Sequence, residues 1–278
     1  MKRILLCLTL ILSLLLFSAP VMAKDKNIGP ELTLEKQQQL DARLTLLSDL
    51  VAEKVKSKAT KAELDAALAE VGVYPVNVQS VDNPKLKSTK TESFGEITPQ
   101  SNEDYCINLP TADLYWDSGE NLYFANAFFF WNDPVYWQAD CPGTYSQTNV
   151  GGKDAFGLAF SRPINRYSQR FQTWDNYHNL WIDSSVPQSA NSYGVAFNKQ
   201  DIAFDNGAQY TFDQGMVSLF MLPQETGTYT FWQEMGHTWY TTDISSVGVN
   251  SSGITFTFTQ TNNKWEAIAP TSGSYTFY

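Results

Sequence analysis

Every tryptophan of the chain lies beyond residue 103, and nearly all its other aromatics lie there too. Residues 104–278 hold 8 Trp, 13 Tyr and 15 Phe, whereas residues 24–103 hold only Tyr74 and Phe94. A large aromatic side chain buries about 150–250 Å², so the C-terminal two-thirds must stack much apolar surface into layers. The lean, charged leader has no such load. The step therefore marks where the main folded unit begins.

The hydrophobic period changes at the same boundary. Ile254, Phe256 and Phe258 alternate with Thr255, Thr257 and Thr259. A period of two with one wetted face is the pattern of an antiparallel sheet. Short runs rich in Val, Phe, Tyr, Trp and Thr recur between turn residues, among them Asp117-Ser118-Gly119-Glu120-Asn121, Asp205-Asn206-Gly207 and Asn250-Ser251-Ser252-Gly253. That punctuation predicts a mainly β, antiparallel sandwich or jelly-roll-like domain over 104–278. Leu122 to Trp131 is apolar almost throughout, so a central strand covered on both faces is expected there.

The leader reads as helix. Leu40, Leu44, Leu47, Val51 and Val55 fall on one helical face. Thr60-Lys61-Ala62-Glu63 fits a capping box, Leu64, Leu68 and Val71 continue an apolar face, and Gly72 with Pro75 ends it. A helical hairpin over roughly 33–57 and 60–71 follows, within a segment 24–75. It has three readings: packing on the β domain, oligomerisation, or a removable pro-segment. Residues 76–103 are polar, aromatic-poor and aperiodic, read as a flexible linker, and this favours the last two readings. Nothing in the pattern sets an oligomeric state.

Lys2 and Arg3, the apolar run Ile4 to Phe17 and the small residue Ala23 read as a secretory signal peptide over 1–23. No second apolar segment has spanning length, so no integral membrane segment is expected once the signal is cleaved. With Cys7 removed, Cys106 and Cys141 form an even pair in an exported chain, and one disulfide is expected. It would close a loop of about 35 residues, for roughly 3–4 kcal/mol on a loop-entropy model.

Charge narrows the partners. Residues 104–278 carry 6 Lys/Arg against 16 Asp/Glu. Such a surface repels phosphate backbones, so nucleic acid is not an expected partner. Neutral sugars, cationic surfaces and calcium fit it better. Acidic turns at Asp113, Asp117 and Glu120, or at Asp201, Asp205 and Asp213, are places for Ca²⁺, although no calcium motif is present and no cofactor is expected.

The strongest local constellation lies at 226–243. Thr228 to Glu234 and His237 to Thr242 read as two strands, with Met235-Gly236 as their turn. In that register Glu234 faces His237, Trp232 faces Trp239, and Thr230 faces Thr241, all on one side. Two adjacent indoles with a carboxylate and an imidazole at the rim would suit a pyranose ring. The competing reading is a cross-strand core contact. From Trp232, Trp239, Glu234, His237, Thr230 and Thr241 the expected function is secreted, non-catalytic binding of a glycan or cell-surface polymer. One alternative is a glycoside hydrolase-like enzyme with paired carboxylates, Glu234 among them. Another is a pore-forming or surface-assembling β protein that uses the hairpin-like segment 244–259. Metal catalysis has no motif, since only His178 and His237 exist.

Overall fold

The computed structural model describes residues 32–83, 107–132, 152–204, 209–239, 241–261 and 264–278. The expected signal peptide, Cys106, Cys141, Asp205 and most of the expected linker lie outside them. Helix α1 (Leu34–Lys56) starts at Thr33, whose hydroxyl accepts from the Lys36 amide. Helix α2 (Lys61–Glu70) starts in the expected capping box: Glu63 accepts from the Thr60 amide at 2.7 Å, and Thr60 accepts from the Glu63 amide at 3.3 Å.

Eighteen strands follow among the described residues. They are β1 (Val73–Pro75), β2 (Gln79–Asp82), β3 (Ile107–Asn108), β4 (Asp113–Asp117), β5 (Leu122–Trp131) and β6 (Lys153–Phe160). Next come β7 (Ile164–Trp174), β8 (Leu180–Ser184), β9 (Ser189–Asn191), β10 (Gly194–Gln200), β11 (Ala203–Phe204) and β12 (Gln209–Tyr210). The last six are β13 (Gln214–Pro223), β14 (Gly227–Thr238), β15 (Ile244–Asn250), β16 (Gly253–Phe258), β17 (Lys264–Ile268) and β18 (Thr271–Phe277).

Two antiparallel sheets form a sandwich. One, the helix-side sheet, runs β1-β4-β5-β13-β7-β8, with β3 also beside β5. The other, the hairpin-side sheet, runs β2-β18-β14-β6-β10-β9, with β17 also beside β14. Between them lies the aromatic core. Phe129 meets Phe156 edge-on at 4.9 Å and stacks on Phe212 at 5.2 Å; Phe171 stacks on Phe197 at 5.2 Å.

Both outer faces are covered as well. Leu40, Leu44, Leu47, Val51, Leu64 and Leu68 of the helices pack on Tyr115, Phe124, Phe128, Trp174, Met216 and Phe220. This explains why β5 is apolar on both sides: Phe129 faces the sandwich core while Phe124 and Phe128 face the helices. On the opposite side the hairpin β15–β16 lays Ile244, Val249, Ile254 and Phe256 on Ala155, Ala159, Ala196, Trp232 and Ile268. The expected hairpin around residues 250–253 and the Ile254/Phe256 alternation are both present.

Of the three readings of the leader, packing on the β domain is seen. The hairpin is docked on the β domain, and the chain after it is not yet a linker. β1 pairs with β4 at one sheet edge and β2 pairs with β18 at the edge of the other. Polar contacts fix the helices in register. Arg43 donates to both Asp117 oxygens (2.8 and 3.2 Å), Lys36 pairs with Glu120 at 2.6 Å, and Lys61 reaches Asp113 at 3.4 Å. The acidic turn considered for calcium is thus spent on three helix cations.

Candidate functional site

The two-strand reading of 226–243 is corrected by the structure. β14 is one uninterrupted strand, with Met235 opposite Phe156 and Gly236 opposite Ala155 of β6. Gly236 is there for space, not for a turn: a Cβ would lie 3.0 Å from the Phe256 ring and 3.1 Å from Ile244 of the overlying hairpin. In a single strand odd and even residues take opposite faces. Trp232 and Glu234 therefore lie under β15–β16, while His237 and Trp239 point into the sandwich. Trp232 and Trp239 are both buried and do not face each other; Thr230 is half-buried, and Thr241 is exposed beyond the strand end.

Glu234 is a clamp. One of its oxygens accepts from the Trp232 indole at 2.8 Å and from the Ile254 backbone amide at 3.0 Å. A fully buried carboxylate so engaged fixes the third layer to the sheet and offers no open face to a substrate.

His237 belongs to a different cluster, at one end of the sandwich interior. Its Nδ1 lies 2.7 Å from Asp154 Oδ2, and Asp154 Oδ1 accepts the Thr238 amide at 2.9 Å. The Tyr210 hydroxyl sits 2.8 Å from Asp201 Oδ2 and 3.2 Å from Asp154 Oδ2. All four side chains are buried. Burial, then the nearby Asp154 charge, holds the Asp201 carboxyl well above its ordinary range, and burial with both acids does the same to the Tyr210 phenol. Trp131 meets the His237 ring edge-on at 5.0 Å, and Trp239 stacks beside it at 5.7 Å. Sequence reasoning missed Asp154 and Tyr210. The available signal was an acid at a core-facing position of the apolar run Asp154-Ala155-Phe156-Gly157-Leu158.

A second missed feature lies at the edge of the helix-side sheet. Trp181 is the exposed tryptophan among the described side chains, at 42% accessibility, with Tyr177 at 63%. Leu180 stands opposite Trp174 and Ile182 opposite Thr173, so Trp181 is the extra residue of a β-bulge. Bulges re-aim side chains, and this one turns the indole toward Asp175, whose Oδ2 accepts the indole N–H at 2.7 Å. The same carboxylate accepts the Tyr177 and Asn179 amides at 2.8 Å each and the Asn179 side chain at 3.0 Å. His178 takes a positive φ of 66° in this turn and meets Gln214 at 2.9 Å. Next to it, burial and the Asp175 charge push the Asp213 carboxyl up to about 7.

No family model matches the chain, and no curated protein resembles it closely enough to count as a match.

Proposed function

We propose that this is an exported, non-catalytic binding protein that takes a neutral glycan or surface polymer at the Trp181–Tyr177 edge. One observation carries the reading. A fully buried carboxylate, Asp175, ties together the Tyr177–Asn179 turn and through Oδ2 holds an exposed indole in one orientation. An indole whose N–H is already satisfied has only apolar ring surface left to offer a ligand, and locking it in advance lowers the ordering cost of binding. Exposed polar groups flank it at His178 and Asn179. The acidic surface favours a neutral polymer over a polyanion.

The paired-carboxylate enzyme has less support. Glu234 is sealed under the hairpin, and Asp175, the carboxylate beside Asp213, is itself fully buried. The test is a glycan array and polysaccharide pull-down with protein lacking residues 1–23, run beside a Trp181→Ala, Tyr177→Ala double variant. The reading predicts retention on a neutral polysaccharide and its loss in the variant. No retention by the wild type, or equal retention by both, would overturn it.

A further inference from the structure

We infer that Asp154, Asp201 and His237 form a binding site for a first-row divalent transition metal such as Zn²⁺ or Mn²⁺, separate from the Trp181 edge. The three residues come from β6, the residue after β10, and β14, yet each offers a ligand atom within 4.8 Å of the others. They are 0–1% exposed.

Charge is the first argument. Two carboxylates lie together in the interior, and among the described residues neither is paired with a lysine or arginine; the basic group at Asp154 is His237. A neutral imidazole and a divalent cation would bring the group to net zero, which matters where burial makes unbalanced charge costly. Donor chemistry is the second. A nitrogen with two carboxylate oxygens suits zinc or manganese, whereas calcium and magnesium take oxygen sets.

Orientation is the third. The Thr238 amide holds one Asp154 oxygen, which leaves the other facing His237, and Trp131 and Trp239 wall the imidazole. Outer contacts of this kind fix ligand direction in metal sites. The fit needs adjustment of ligand atoms that lie within 4.8 Å of one another. Ligands with bonds of about 2.1 Å at a tetrahedral angle stand roughly 3.4 Å apart. The 2.7 Å His237–Asp154 pair therefore opens by about 0.7 Å to admit the ion. Such a buried site fills as the chain folds, so metal content and folding are linked.

The test is the metal content of untagged full chain expressed in Zn²⁺- or Mn²⁺-supplemented medium and dialysed against metal-free buffer, measured by plasma mass spectrometry. The expected result is about one Zn or Mn per chain, falling below about a tenth in His237→Ala and Asp201→Asn. Added metal should raise the melting temperature of metal-depleted wild type by roughly 5–10 °C at a hundredfold excess over Kd. Asp201→Asn keeps the side-chain shape and removes a buried charge, so it decides the matter if His237→Ala does not fold. Wild type without metal from either medium, calcium in place of both, or undiminished metal in Asp201→Asn would overturn the proposal. The first of these would mean that protons alone balance the cluster.

Discussion

At the scale of single residues, the same residue type does different work according to strand parity and burial. Trp232 and Trp239 are structural, and Trp181 is presented to solvent. Asp213 shows a further consequence. Its carboxyl titrates near 7 in the folded chain against an ordinary value of 3.8, because burial and the facing Asp175 charge disfavour ionisation. The folded state then binds more protons than the unfolded chain between those values, so stability from this group is complete below about pH 4 and declines up to about pH 7. Asp213→Asn removes that dependence. Its melting temperature should exceed that of wild type at pH 8 and converge with it near pH 4. A variant that melts below wild type at pH 8 would contradict the assignment. None of this was legible in the sequence, because the Asp175–Asp213 proximity joins the turn before β13 to the turn before β8. The sequence does show Asp175-Asn176-Tyr177-His178-Asn179, aromatic and turn-forming residues together, which is the trace a reader could have followed.

At the scale of elements, the helices were the most readable part. A 3.6-residue period and a capping box are local signals, and α1 and α2 end within a residue or two of the expected bounds. The alternation of β16 and its turn were equally local. β14 was misread because Met235-Gly236 has turn chemistry, while the need for glycine comes from Phe256 and Ile244 in another element. The clamp that holds this third layer makes a sharp prediction at Gly253. Its φ is 128°, and an added Cβ would clash with the Glu234 carboxylate. Gly253→Ala should therefore destabilise the protein by about 2 kcal/mol or more, seen as a lower denaturation midpoint. An unchanged midpoint would show that the hairpin is not seated on Glu234.

At the scale of the whole molecule, four layers stack in order: helices, sheet, sheet and hairpin. Each outer layer covers a face that would otherwise expose large apolar side chains. Pairing of the leader with the sheet edges has no local signal in the sequence, since those partners lie far away in the chain, and the polar stretch 76–103 favours oligomerisation or a removable pro-segment over docking. The packing argues that it is needed. Deleting residues 24–72 would bare Phe124, Phe128, Trp174 and Phe220 on the helix-side sheet. The truncated chain should aggregate or bind a hydrophobic dye strongly, and a soluble, monomeric truncation with the wild-type melting temperature would restore the pro-segment reading. The layered plan also assigns the indoles. Those between layers hold the fold, and the one on the sheet edge is exposed and is the one proposed to meet the ligand. The most direct measurement is a calorimetric titration of an array-selected neutral glycan into wild type and Trp181→Ala, with melting curves alongside. Expected are unchanged melting and about 30-fold weaker binding, the loss of a central aromatic anchor worth about 2 kcal/mol. Equal affinities for the two proteins would contradict it.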